Sequence, residues 1–234
     1  MLAVLLLAAA APAQDSIGAE RAFAAMAQTR GQWTAFRAFA APDAITFGPA
    51  ATNAQALLAP LRDPPVAVMW WPGRSWVACD GSIAINTGPW VRKGGKSTGT
   101  FTTVWQHQAD GGWKWLLDHG RETPRPVSAS DRPVVIRAAC GNLRGAKGAT
   151  PDPARLASDF LYQADNLMPS AQRVSYAAQE TGRLAGGASE DGSLAWRTDG
   201  LKGEEGAHLF RLWLWDGRTH RLVLEEVSGV KAGG

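Results

Sequence analysis

The stretch VWQHQADGGWKWLLDHG, residues 104–120, constrains the fold of this chain more than any other. Alternating large and polar residues flank Asp110-Gly111-Gly112, a turn signal between two apolar runs, so the segment reads as a β-hairpin. The second strand ends on Leu116-Leu117-Asp118, an acid reached through an apolar run. Such an acid is paired with a polar neighbour, sits in water at the strand end, or lines a pocket. Whether the turn holds two residues or four, this register sets Gln108 opposite Trp113 and Thr103 opposite Asp118. One face then carries Phe101, Thr103, Trp105, His107, Lys114, Leu116 and Asp118. The other carries Thr102, Val104, Gln106, Trp115, Leu117 and His119.

Around this hairpin the pattern changes from helix to strand. Ala19, Ala22, Phe23, Met26 and Ala27 keep helical spacing, with Asp15 or Ser16 placed to cap the helix and Glu20 in its first turns. Gly31 interrupts, Trp33, Phe36 and Phe39 mark a second short helix, and Pro42 ends it. Asp43 opens the short strand after that helix, where a turn or capping role is the simplest one. Strands then continue through residue 120, punctuated by Asp80-Gly81 and by the KGGK turn at 93–96. The predicted class is α+β, with helices packed on one side of a strongly curved antiparallel sheet. A smaller C-terminal α+β extension completes it. The predicted organisation is residues 15–120 as the first domain, 121–151 as a Pro/Gly-rich basic connector, and 152–230 as a C-terminal helix plus antiparallel sheet.

Residues 2–10 form an apolar run before Ala11-Pro12-Ala13, a small-residue cleavage pattern, so residues 1–13 read as a signal peptide. The run lacks a preceding Lys or Arg. The expectation is a periplasmic or secreted protein, and no stretch reaches the roughly 20 apolar residues that a helical membrane span needs. Cys79 and Cys140 are the only cysteines, and the sequence leaves them open as one disulfide or as two buried thiols. Two cysteines with four scattered histidines make no structural zinc site, and no metal or cofactor is expected. A net charge of +3 without a basic stripe excludes nucleic acid as the expected partner.

The connector and the C-terminal part have their own signals. Residues 121–155 hold seven Lys/Arg against three Asp/Glu, which a solvated linker explains, with a short strand at Val134-Val135-Ile136. Asp152-Pro153 opens a helix with an apolar stripe of Leu156, Phe160, Ala164 and Leu167. Residues 194–227 read as β, and Asp191-Gly192-Ser193-Leu194-Ala195 echoes Asp80-Gly81-Ser82-Ile83-Ala84. A decayed duplication and a chance likeness between hairpins both account for the echo.

Several motifs together resemble a known superfamily. Ala19-Glu20-Arg21-Ala22-Phe23 opens the first helix, Trp70-Trp71-Pro72 precedes the Asp80-Gly81 hairpin, and Thr87-Gly88-Pro89-Trp90 closes the next strand. With residues 99–105 and 113–120, they resemble the nuclear transport factor two-like superfamily, in its exported, uncharacterised branch related to polyketide-cyclase-like and ketosteroid-isomerase-like proteins. The resemblance covers residues 17–120. It implies a cone-shaped fold with a pocket at the open end, homodimers as a common assembly, and activities that range from isomerase and dehydratase to none. It also implies that an acid on the last strand, Asp118 here, is the place for an acid/base group.

The candidate site is therefore Asp118, with Trp70, Trp76, Trp90, Trp105 and His107 as pocket residues. Trp70, Trp76 and Trp90 either line a flat apolar ligand site or fill the core, both readings being open, and core packing is the simplest role for most of the eleven tryptophans. By the hairpin register His107 lies about 13 Å from Asp118 along the strand, too far for a direct dyad. Three functions are open, in order: an exported binder of a small apolar molecule, an isomerase- or dehydratase-type enzyme using Asp118 as acid/base, and a structural or assembly domain with a filled pocket.

Overall fold

The computed structural model describes residues 15–48, 50–123, 126–148, 151, 180–203 and 205–229. The expected signal segment and the helix expected from Asp152 lie outside the described residues. Two helices open the fold. In α1 (Ser16–Arg30) the Asp15 carboxylate accepts from the Gly18 N–H at 2.7 Å, and Gly31, with φ 108°, stops it. Helix α2 (Gln32–Phe39) runs straight into β1 (Ala40–Phe47). Then come β2 (Ala51–Asn53), α3 (Ala54–Leu58), β3 (Met69–Trp70), β4 (Arg74–Val77), β5 (Ile83–Arg92), β6 (Ser97–His107) and β7 (Trp113–Glu122). The remainder is β8 (Val134–Arg137), α4 (Leu143–Gly148), β9 (Glu180–Ala188), β10 (Leu194–Leu201), β11 (His208–Trp215) and β12 (His220–Ser228).

This architecture corrects the expected class. The described residues are mostly β, with twelve strands against four α-helices, in place of an α+β cone. The larger sheet holds eight strands in the order β2-β1-β7-β6-β5-β4-β8, with β3 pairing onto β5, and it is mixed. Strand β1 runs parallel to β7, and β8 runs parallel to β4. The described part of the expected C-terminal α+β extension is a separate four-stranded antiparallel sheet, β12-β11-β10-β9, and neither sheet closes. The physical reason is local. Parallel neighbours cannot be joined by a tight turn, so they leave no hairpin signal in the sequence. The expected connector does carry its short strand, and that strand extends the first sheet.

The first sheet is buried on both faces. On one, Trp70, Trp90, Phe101, Trp105 and Trp115 pack beneath α1 and α2, with Phe23 of α1 set among them. On the other, Trp76, Ile83, Ile85, Val104 and Leu117 meet Leu194, Trp196, Phe210, Leu212 and Leu224 of the second sheet. This double burial shows in β5 and β6, whose residues are buried almost without a break although β6 is rich in threonine. Cys79 and Cys140 form a disulfide with Cα atoms 5.3 Å apart, fastening the segment after β8 to the β4–β5 turn. Among the described residues no helix is long and apolar enough to cross a membrane.

The central hairpin differs from its expected register in an instructive way. Its turn is neither two residues nor four: Gln108 N–H donates to the Gly112 carbonyl at 2.8 Å, and Gly111 sits at φ 82° in the turn. His107 therefore pairs with Trp113. A bulge between Val104–Leu117 and Trp105–Trp115 then absorbs one residue of β7, so Thr103 does face Asp118. The bulge also moves Trp115 onto the face of Trp105, correcting the expected alternation. Leu117, completely buried at the contact of the two sheets, is the sharpest probe of their joint core. Leu117→Ala should lower unfolding stability by about 2–5 kcal/mol, read by denaturant titration.

Candidate active site

The site begins with a residue that the sequence pattern did not single out. Glu20 projects from the buried face of α1 and is completely buried. A carboxylate there must be given donors or kept protonated. It receives three. Trp70 Nε1 donates to Oε1 at 2.9 Å, while Trp105 Nε1 and Asn86 Nδ2 donate to Oε2 at 2.6 and 3.3 Å. Asn86 is itself oriented by the first turn of α1: its Nδ2 donates to the Ser16 carbonyl at 2.8 Å, and Ser16 Oγ donates to its Oδ1 at 3.2 Å. Burial still outweighs these bonds and pushes the Glu20 pKa up to about 7.

Asp118 lies across the sheet face from this acid, half-buried on β7. Thr103 stands between the two. Its hydroxyl donates to Asp118 Oδ2 at 2.8 Å and is also one of the polar groups around Glu20. Burial is the main force raising the Asp118 pKa, with the nearby Glu20 charge second, and together they push it up to about 8. Glu20 and Asp118 thus form a coupled pair in which ionisation of one disfavours ionisation of the other. Near neutral pH the pair keeps a proton that two ordinary carboxyls would have lost.

Asp118 opens onto a cavity of about 190 Å³ between α2 and the sheet, walled by Phe36, Val68, Trp70, Trp90 and Phe101, with Gln32 as a polar corner. Trp90 is positioned by two neighbours. Its Nε1 donates to the Thr100 carbonyl at 3.0 Å, and its ring lies over Gly99, where a Cβ would come within 2.4 Å of the indole. Arg92 covers the outer face of that ring, 5.2 Å from its centre, and pairs with Glu122 at the rim. The volume is below the few hundred Å³ common for drug-sized ligands, so the cavity has room only for a small molecule.

Of the residues named from sequence, Asp118, Trp70 and Trp90 converge here. Trp105 lies one layer behind, completely buried, with its N–H on Glu20. Trp76 is on the opposite face, in the core between the sheets, because β4 turns that side chain toward β10–β12. His107 sits at the far end of β6 against Trp113, 4.9 Å between ring centres, and lines a different cavity with Asp15, Asp80 and Arg137. Asp43 lies inside β1. Glu20 was legible in part: Ser16, Glu20, Phe23 and Ala27 share one helical face, and an acid on such a stripe is a signal. Its position in the first turns, where acids are commonplace, hid it.

The chain matches no protein-family model, and a comparison with curated proteins found no match either. The chemistry is therefore read from this arrangement alone: a proton-holding carboxyl on an aromatic cavity wall, tuned by a second, inaccessible acid.

Two outcomes check this coupling. Glu20→Gln removes the neighbouring charge and should lower the Asp118 pKa, read as a carboxyl 13C titration displaced to lower pH in NMR. Both folded-state pKa values lie above those of an unfolded chain. The stability these acids contribute is therefore full below the ordinary carboxyl range, about pH 4. It is lost progressively as pH rises through the folded values of about 7 and 8. Asp118→Asn should flatten that part of the stability profile, measured by urea unfolding across this pH range.

Proposed function

We propose that this chain is an exported protein that binds a small, largely apolar molecule in the cavity beside Asp118. The observation that carries the reading is the half-buried Asp118 carboxyl on a wall otherwise made of Phe36, Val68, Trp70, Trp90 and Phe101. Aromatic faces supply most of the contact, and the protonated carboxyl donates one hydrogen bond, which favours a guest with a single carbonyl, ether or ring-nitrogen acceptor. The Cys79–Cys140 disulfide supports export, since such bonds persist in oxidising compartments. Descent of residues 17–120 from the nuclear transport factor two-like superfamily belongs to the same proposal and rests on the motifs quoted for it. Self-association through the sheet is no part of it, because the second sheet covers that face.

A second reading is favoured by the acid pair itself. A carboxyl with a pKa of about 8 beside Thr103 and Glu20 is suited to proton transfer near neutral pH, as in an isomerase or dehydratase. The two readings share a site and differ in turnover.

The test is a thermal-shift screen of the protein against small planar ketones, ethers and aza-aromatics. A true ligand raises Tm by mass action, equivalent to about 2.7 kcal/mol at a hundredfold excess over Kd. Trp90→Ala should abolish the shift, and Asp118→Ala, which leaves no donor at that position, should weaken binding about tenfold, the loss of one good hydrogen bond. Undiminished binding by both variants would place the ligand elsewhere. For the second reading, solvent-deuterium incorporation into an enolisable ketone should occur with the unaltered protein and stop in Asp118→Asn.

A further inference from the structure

The two sheets repeat one pattern strand by strand. Strands β4, β5, β6 and β7 form an antiparallel meander, and β9, β10, β11 and β12 form another in the same order. The first turn of each is Asp-Gly-Ser: Asp80-Gly81-Ser82 and Asp191-Gly192-Ser193, with both glycines at φ 74°. In the first, Ala78 N–H donates to the Ile83 carbonyl at 3.0 Å and Gly81 N–H to that of Ala78 at 3.1 Å. In the second, Ser189 and Leu194, then Gly192 and Ser189, make the same bonds at 2.9 and 3.0 Å. The register also repeats. Val77 faces Ala84 as Ala188 faces Ala195, and His107 N–H donates to Ser82 as Trp215 N–H donates to Ser193. Each last strand carries a bulge at the same place, between the pairs of Val104 and Trp105 and between those of Leu212 and Trp213. Antiparallel hairpins in general share turn types; they do not share the position of a bulge several residues away.

The contacts between the sheets are reciprocal as well. Asp80 N–H donates to Asp191 Oδ2 at 2.9 Å, and Asp191 N–H donates to Asp80 Oδ2 at 2.8 Å. Cys79 N–H donates to Ser193 Oγ at 2.8 Å, and its counterpart Glu190 N–H donates to Ser82 Oγ at 3.2 Å. At the other end, His119 and Glu226 occupy matching positions and meet each other, Nε2 to Oε2, at 3.6 Å. Thr102 Oγ1 donates to Glu226 at 2.6 Å, and the matching residue Phe210 packs on His119 with ring centres 5.3 Å apart. Residue i touching j while the counterpart of j touches the counterpart of i is the mark of a twofold, isologous interface.

We propose that the second meander is a copy of the first, and that the sheet face carrying Ile83, Val104 and Leu117 is a twofold pairing surface whose partner is this copy within the same chain. The chain is a tandem pair that carries its own partner. The copies differ on their opposite faces. Where the first has Thr103 facing Asp118 beneath the cavity, the second has Arg211 facing Glu225, ion-paired at 2.8 Å. The second copy keeps the pairing face and replaces the site with a salt bridge.

The test uses the full chain. Amide hydrogen exchange by NMR should show Asp80 protected to the same degree as Asp191, and Cys79 to the same degree as Glu190, within about threefold in rate. One member of either pair exchanging as an open turn while the other stays protected would overturn the twofold pairing. Asp80→Ala and Asp191→Ala should then lower the folding equilibrium constant by similar factors, about tenfold each, since each removes equivalent acceptors. The double variant should lose less than the product of the two, because opening one turn already releases the other. Strictly multiplicative losses, or a single substitution that dominates, would mean that the two turns are independent and that no such pairing exists. If the double variant does not fold, the exchange rates of the unaltered protein decide the matter alone.

Discussion

A single buried carboxylate organises the first half of this molecule. Glu20 cannot stay charged inside a protein without donors, and the donors it recruits come from three different strands: Trp70 of β3, Asn86 of β5 and Trp105 of β6. Meeting that demand seats α1 on the sheet at a fixed height and rotation. It also aims the Trp70 indole, so one wall of the cavity inherits its orientation from an acid that the cavity does not expose. Burial is the main reason that Asp118 keeps its proton, and the same charge adds to it. Helix docking, wall geometry and site acidity are thus three consequences of one interaction, and a neutral, well-packed side chain at position 20 would decouple them.

Legibility in the sequence tracks the range of the forces involved. The hairpin at 104–120, the Asp80-Gly81 turn and the break at Gly31 are written in adjacent residues, and they stand in the structure. The Thr103–Asp118 pairing was also legible, although two opposite errors produced it. The turn is shorter by one residue than a four-residue loop, and the bulge at Leu116 restores the count. A bulge has no strong local signature, so the face of Trp115 could not be read. The parallel partners of β1 and β8 leave no turn between them, and nothing local distinguishes a linker from an edge strand at Val134-Val135-Ile136. Trp76 and Trp90 look alike in sequence. One faces the second sheet and the other the cavity, and only the placement of that second sheet separates them.

That placement also explains why a second β layer is present. A sheet with apolar side chains on both faces needs cover on both, and the helices α1 and α2 serve only one. A second sheet with its own apolar inner face solves the problem for both layers at once. Its twofold arrangement means that one successful surface suffices, since a self-complementary face needs no separately shaped partner. Division of labour then becomes available. The outer face of one layer is free to hold an aromatic cavity and an acid, while the corresponding positions of the other tie strands together through Arg211 and Glu225.

The energetic penalty of the site argues that it is used. Both acids hold their protons above the range of exposed carboxyls, so at neutral pH each favours the unfolded chain, where ionisation is free. Pure architecture has simpler solutions: Asn or Gln at these positions would accept the same indole and hydroxyl donors without the burial of a titrating group. The penalty is offset by features that lie elsewhere, namely the core between the two sheets and the disulfide beside the β4–β5 turn. A fold that stabilises itself remotely while keeping a destabilising acid pair next to an open aromatic cavity has the distribution of strain and support that functional sites show. On the function proposed for the cavity, the pair would present one held proton to a guest between Trp70 and Trp90, a role that packing does not supply.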